Sequence, residues 1–155
     1  MENLFDITLK NRKILYKILK ETPKETLLRI PQGYRNNIWW NIAHVVVTQQ
    51  VLVYKMSMLP MQISDELVSR FRKGTLPDGS ATDEEIAEVK GLLFTTIERC
   101  RQDYENGMFK EFAEYTTTPG VILKNVDDSI AFNLFHEGIH LGVIVSLQKA
   151  LLITD

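Results

Sequence analysis

Four segments of the 155-residue chain carry apolar residues at the three- and four-residue spacing of an α-helix, and no long segment alternates apolar and polar residues as a half-buried strand does. The four segments span about residues 3–21, 36–58, 82–106 and 125–152. The pattern predicts an all-α fold, and four long helices favour a four-helix bundle. We expect one domain over residues 1–155, because this length is usual for a single domain.

The first and third segments illustrate the predicted helical faces. The expected inward stripe of the first is Leu4, Ile7, Ile14, Leu15 and Ile18, with Asn11 on the same stripe. That of the third is Ile86, Val89, Leu93, Ile97, Cys100 and Tyr104. The third segment also begins with a Thr82 and Glu85 pair, three residues apart, which is typical of a helix start whose two residues cap each other.

The connections between the segments differ in length. About two dozen residues separate the second and third helices, whereas an up-down-up-down bundle needs only a few. This favours a bundle with a long crossover connection between these two helices. Within it, residues 64–74 predict a short capped helix closed by a glycine turn. The link from the third helix to the fourth is rich in aromatic residues, and we expect it to pack over one end of the bundle.

Composition limits the possible partners and the compartment. The chain has 18 Lys and Arg against 20 Asp and Glu, a net charge of −2, so it lacks the basic surplus that binds nucleic acid or anionic membranes. No run reaches the roughly 18 uncharged apolar residues of a membrane span, and the acidic N-terminus does not resemble a secretory signal. A single cysteine rules out an internal disulfide. We therefore expect a cytoplasmic protein with no nucleic-acid or membrane partner.

The three histidines are the main candidates for chemistry. His44, His136 and His140 all lie in strongly apolar segments. His136 and His140 are four residues apart, which places them on one helical face with about 40° between them. Two ring nitrogens at this spacing can reach one metal ion, and the face they share is otherwise core-forming. His44 lies at the border between an apolar and a short polar stripe of the second helix.

Several polar residues fall at or beside core-facing positions, where a simple bundle would place Leu or Ala. They are Asn11, Asn41, Thr48, Ser129 and Asn133. Such residues suit a small hydrated pocket, because ligand histidines usually donate their second nitrogen to an outer partner. Trp40, on the same side as His44, is a further pocket candidate. A core histidine is more often a satisfied polar group than a ligand, so the residues alone leave a metal site and a plain polar core both open.

Residues 136–140 (HEGIH) also match the zinc-peptidase pattern of two histidines around a glutamate. Those enzymes need a third ligand downstream, and the only ligand type that follows His140 is Asp155. Glu137 lies about 100° around the helix from His136, which is compatible with a flanking or outward position. We therefore discount the peptidase interpretation.

Three stretches together resemble the DinB/YfiT-like superfamily. They are residues 36–44 (NNIWWNIAH), residues 71–75 (FRKGT) and residues 135–142 (FHEGIHLG). The resemblance covers nearly the whole chain. It implies a four-helix bundle with a crossover topology, a homodimer and a divalent metal held by three histidines. Carried over by position, those ligands are His44, His136 and His140.

The resemblance also implies an activity, because the family includes thiol-dependent transferases and isomerases that use bacillithiol, mycothiol or glutathione. Three protein ligands leave a coordination position open, which suits catalysis. We expect a metal-dependent thiol S-transferase that acts on a small-molecule thiol and an electrophile. The metal is zinc, nickel, iron or manganese, which histidine ligands do not distinguish. The expected pocket or outer groups are Trp40, Asn41, Thr48 and Asn133, and no catalytic acid or base is assigned.

Two alternatives stay open at this point. One is a non-catalytic, metal-stabilised protein with a binding or stress-response role. The other is a metal-dependent hydrolase, which would need a general acid or base near the metal. Glu137 is the only residue of that kind that the sequence offers near the histidines.

Overall fold

The computed structural model describes residues 1–153 and forms a bundle of four long helices. Its elements are α1 (Glu2–Glu21), α2 (Lys24–Leu28), α3 (Ile38–Gln49), a π-helical segment (Gln50–Lys55), α4 (Asp65–Phe71), α5 (Asp83–Glu105), β1 (Tyr115–Thr116), β2 (Ile122–Leu123) and α6 (Val126–Ile153). Helices α1 and α3 each pack against both α5 and α6. The long connection after α3 carries α4, which packs on α3. The all-α prediction is confirmed, and the short α2 and the antiparallel β1–β2 pair are additions to it.

Side-chain caps fix where the helices begin. The Asn37 side chain accepts from the backbone N–H of Trp40 at 2.8 Å, which starts α3. Thr82 and Glu85 form the predicted reciprocal pair at the start of α5. Ser64 caps the short α4 within the crossover connection. Helix α4 packs on α3, and the site described below lies between α3, α4 and α6.

The helix that carries His44 changes its winding after Gln49. It is α-helical to Gln49 and π-helical from Gln50 to Lys55. Each hydrogen-bonded turn of a π-helix contains one more residue than an α-helical turn, so the side chains that follow are rotated around the axis. The prediction of one α-helix to about Met58 was therefore wrong for the part after Gln49. Met58 itself lies in a turn, with φ of 59°.

The predicted inward face of α1 was also wrong in part. Ile7 and Ile14 are about half exposed, at 49% and 48%. The buried positions are Phe5, Thr8, Asn11, Arg12, Leu15 and Leu19. The observed face is rotated because Arg12 is fully buried, where it pairs with a glutamate of α6. An arginine at the centre of a core face is not expected from apolar periodicity.

Among residues 1–153, one helix, Val126–Leu152, is long and apolar enough to cross a membrane by length and composition alone. The core helix of a soluble protein meets the same criterion. In the structure this helix packs against α1 and α3 and carries the fully buried Glu137. The cytoplasmic location, the absence of a membrane partner and the homodimer stay predictions.

Candidate metal centre

Helices α3 and α6 bring the three histidines together. The ring centroids of His136 and His140 are 4.4 Å apart. The ring centroid of His44 lies 5.2 Å from that of His136 and 4.7 Å from that of His140. One ligand nitrogen from each ring lies within 4.8 Å of the other two. The pair on α6 is one helical turn apart, and packing of α6 along α3 supplies the third ring.

His140 is oriented by a chain of amide hydrogen bonds that begins at the start of α3. The Asn41 amide nitrogen donates to the carbonyl of Asn37 at 2.7 Å, so its oxygen faces His140 as an acceptor. This Oδ1 lies 2.8 Å from Nδ1 of His140. The Nδ1–H of His140 therefore donates to Asn41, and its Nε2 presents a lone pair.

His44 is oriented in the same way by a backbone carbonyl. Its Nδ1 lies 2.6 Å from the carbonyl oxygen of Phe71, the last residue of α4, so the Nδ1–H donates and Nε2 is left with a lone pair. The hydroxyl of Thr48 lies 3.2 Å from that Nε2. Trp40 stacks on the His44 ring, with centroids 4.5 Å apart and an angle of 12° between the planes. The indole N–H of Trp40 donates to Thr75 at 3.1 Å, which holds the stacked pair in place.

The distance between His136 and His140 tests whether these residues fit a cation. Nε2 of His136 lies 3.1 Å from Nε2 of His140, whose lone pair faces it. Nδ1 of His136 is buried with no hydrogen-bond partner among the described residues, so Nε2 either carries the ring proton and donates it to His140, or offers a lone pair to a cation that both nitrogens share. Two nitrogens bound to one tetrahedral zinc at about 2.0–2.1 Å would be separated by about 3.3 Å. The donor set and the spacing therefore fit a divalent metal held by three imidazoles.

The environment keeps the three rings neutral. Burial, followed by the neighbouring His44 and Arg12, lowers the pKa of His136 to about 4. Burial, followed by the other two rings, lowers the pKa of His140 to about 3. Burial also lowers the pKa of His44, against the opposing effect of its hydrogen bond to Phe71. Neutral imidazole is the form that binds metal, so protons do not compete for His136 and His140 at neutral pH.

These shifts predict how the stability of the metal-free protein depends on pH. Because the unfolded histidines titrate near 6.5, the unfolded chain binds more protons than the native chain between that pH and the native pKa values near 4 and 3. The free energy of unfolding is therefore highest above about pH 7 and falls as the pH is lowered, by about 1.4 kcal/mol per pH unit for each excess proton. Urea unfolding between pH 7.5 and 5, where most carboxylates stay ionised, measures this slope.

The matched control is the double variant His136→Gln/His140→Gln, also metal-free. Its slope over the same pH range is expected to be shallower, because glutamine does not titrate. An equal slope in the two proteins would mean that the histidines are not held neutral by the fold.

A second buried polar cluster lies next to the histidines. Glu137 is fully buried and accepts from Nε and Nη2 of Arg12 at 2.9 and 2.8 Å. It also accepts from the amides of Asn11 at 3.0 Å and Asn133 at 2.8 Å. The flanking or outward position considered for Glu137 was wrong. Each carboxylate oxygen has two donors, so Glu137 is held as an acceptor and is not free to serve as the general base that the hydrolase alternative needs.

The four predicted pocket or outer residues lie beside the histidines or beside Glu137. Asn41 contacts His140, Thr48 contacts His44 and Trp40 stacks on His44. The side-chain amide of Asn133 donates to Glu137. Asp155, considered as a downstream ligand, lies outside the described residues.

All three histidines line a cavity of about 490 Å³. Its apolar wall includes Val51, Leu52, Val68, Phe132, Phe135 and Ile139. The segment between α5 and α6 supplies Tyr115 and residues 117–119, so this link borders the cavity. The volume is that of a typical small-molecule site, and no aspartate, glutamate or cysteine is among the described residues that line it.

The family model of the DinB superfamily matches residues 8–144. The chain belongs to the DinB superfamily. The matched region includes all four long helices for most of their length and all three histidines, and the resemblance inferred from the three short stretches is confirmed. No curated protein matches this DinB-superfamily chain.

The sequence did not reveal three features of this site. The acceptor for His44 is a backbone carbonyl of α4, which leaves no side-chain signature. The partner of Glu137 is an arginine 125 residues away in the sequence. Lys55, Arg72 and Lys73 line the cavity, although lysine and arginine at helix ends usually indicate solvated positions. The acceptor for His44 and the positions of Arg72 and Lys73 follow from the packing of α4 on α3.

Proposed function

We propose that this DinB-superfamily protein is a metal-dependent enzyme that transfers a small-molecule thiol to an electrophile, with His44, His136 and His140 as the metal ligands. The observation that carries the proposal is the convergence of three neutral imidazoles, two of them oriented by hydrogen bonds, on the wall of a cavity large enough for a substrate. In the reaction a sulfur–carbon bond forms, the bond from carbon to the leaving group breaks, and the thiol proton is released.

The cavity supports catalysis over a purely structural metal site. A structural zinc site is usually closed by four protein ligands, whereas a catalytic site keeps a position for substrate. Among residues 1–153, the cavity wall offers no fourth ligand of the carboxylate or thiolate type. The divalent metal would supply a Lewis acid that lowers the pKa of a bound thiol.

The thiol has to come from a substrate, because the protein's own cysteine is unsuited to the reaction. Cys100 is buried on α5 and packs in an apolar cluster with Phe5, Val53 and Ile97. Burial raises the pKa of its thiol to about 12, which keeps it protonated and unreactive. It does not line the cavity.

The residues around the histidines orient the ligands and shape the cavity, and we assign none of them a role in forming or breaking bonds. Asn41 and the Phe71 carbonyl accept from Nδ1 of His140 and of His44, which leaves a lone pair on each Nε2 for metal binding. Trp40 fixes the plane of His44 by stacking. The apolar side chains of the wall, among them Val51, Leu52 and Val68, offer contact area for the carbon skeleton of a substrate.

The test is thiol consumption with monochlorobimane as the electrophile. Glutathione, bacillithiol and mycothiol are supplied in turn, each with zinc, nickel, manganese or ferrous iron. We expect a metal-dependent rate with at least one thiol and its loss in His140→Ala. If no thiol gives a metal-dependent rate while the metal still raises the melting temperature, the transferase proposal is contradicted and a non-catalytic metal-binding protein is favoured.

A further inference from the structure

The charged side chains that line the cavity are all basic among the residues that the structure describes. Lys55, Arg72 and Lys73 line it, and no aspartate or glutamate among the described residues does. None of these three side chains forms an ion pair within residues 1–153. By contrast, the neighbouring Arg70 on α4 pairs with Asp78 and Glu85. The cavity therefore has three cations that the rest of the described chain leaves unpaired.

The three cations are attached to the same elements that orient the histidines. Lys55 ends the π-helical segment that continues the helix of His44. Arg72 and Lys73 directly follow Phe71, whose carbonyl accepts from His44. The next residue, Gly74, has φ of 91°, a value that favours glycine and turns the chain there. The positions of Arg72 and Lys73 are therefore linked to His44 through the end of α4, and the position of Lys55 through the helix of His44 itself.

The cavity lining has an exposed part and a half-buried part. Lys55, Arg72 and Lys73 belong to the exposed part together with the apolar Phe135 and Ile139, whereas Val51, Val68 and Phe132 are half-buried. A ligand that satisfies both regions has an apolar body and an acidic group. Arginine binds the oxygens of such a group in a bidentate manner, and lysine adds a point charge.

We propose that the cavity binds an organic anion. Its apolar body lies against Val51, Val68 and Phe132, and its carboxylate, phosphate or sulfonate group pairs with Lys55, Arg72 and Lys73. If the proposed transferase function is correct, this anion is one of the two reactants. Only that role depends on the proposed function. Binding of the anion itself needs no metal, so it can be tested separately from the metal site.

The experiment uses two fluorescent dyes with the metal-free full chain. 8-Anilinonaphthalene-1-sulfonate and neutral N-phenyl-1-naphthylamine share a ring system and differ in the sulfonate. The triple variant Lys55→Gln/Arg72→Gln/Lys73→Gln is expected to weaken binding of the sulfonate dye by about 10-fold or more and that of the neutral dye by less than about 2-fold. The control Lys13→Gln/Lys17→Gln/Lys20→Gln removes the same charge from exposed positions of α1 and should change neither affinity.

Two further measurements locate the dye and the type of acid. Val68→Trp fills the cavity and is expected to release both dyes. 4-Phenylbutyrate and 4-phenylbutyl phosphate are expected to displace the sulfonate dye, and neutral 4-phenylbutanol is not; the better competitor identifies the preferred acidic group. Unchanged sulfonate affinity in the triple pocket variant, retention of both dyes by Val68→Trp, or equal displacement by the neutral alcohol would overturn the proposal. A zinc titration of the wild-type chain, performed separately, tests the metal site alone.

Discussion

Replacing His140 by alanine is expected to weaken zinc binding by more than about 100-fold. The substitution removes one of three nitrogen donors and leaves His136 without the ring that faces it at 3.1 Å. Loss of an outer partner alone typically costs 10–100-fold in metal affinity, so loss of a ligand should cost more. Titration calorimetry at pH 7, with a competing chelator to reach the wild-type affinity, gives the ratio. Zinc affinity unchanged from wild type would remove His140 from the proposed ligands.

The same measurement separates a ligand from the residue that orients it. Asn41→Ala removes the acceptor that fixes the His140 ring and leaves the ring in place, so we expect a loss of about 10–100-fold. Asn3→Ala is the matched control, because Asn3 is exposed on α1. Equal affinities in these two variants would mean that the Asn41 hydrogen bond contributes nothing to metal binding.

The second large effect is expected at the buried ion pair. Glu137→Gln preserves the shape of the side chain but leaves the fully buried Arg12 without a counter-charge. Removing one member of a buried pair typically costs about 3–5 kcal/mol, so the free energy of unfolding should fall by that amount. For a chain of this length the melting temperature should fall by roughly 6–20 °C. Denaturant and thermal unfolding of the metal-free variant measure both quantities.

Two variants control for this result. Lys24→Gln breaks an ion pair whose side chains are 42% and 84% exposed, and it should cost less than about 1 kcal/mol. The double variant Arg12→Met/Glu137→Leu removes both buried charges and should recover much of the stability that Glu137→Gln loses. If Glu137→Gln loses no more stability than Lys24→Gln, the buried pair does not hold α1 and α6 together.

Local signals explain which parts of the fold were predictable. The pairing of Thr82 with Glu85 is contained within four residues, so the sequence reveals it directly. The i, i+4 spacing of His136 and His140 likewise needs only the geometry of one helix. The family resemblance assigned His44 as the third ligand, and its approach to the other two histidines depends on packing of α3 against α6.

The rest of the site depends on contacts between distant residues. Arg12 and Glu137 each read as surface residues on their own helices, and only their mutual neutralisation makes burial of both tolerable. For the same reason the inward face of α1 was misplaced. The cations Arg72 and Lys73 reach the cavity because α4 packs beside α3, and no periodicity in residues 64–74 encodes that placement.

The central claim is that three imidazoles from α3 and α6 bind one divalent cation. X-ray absorption spectroscopy of the zinc-loaded protein, with zinc quantified per chain, tests it most directly. The account predicts one zinc per chain with three imidazole nitrogens at about 2.0–2.1 Å, and the loss of one imidazole from this shell in His44→Ala. Absence of stoichiometric zinc, or a zinc shell that His44→Ala leaves unchanged, would contradict it.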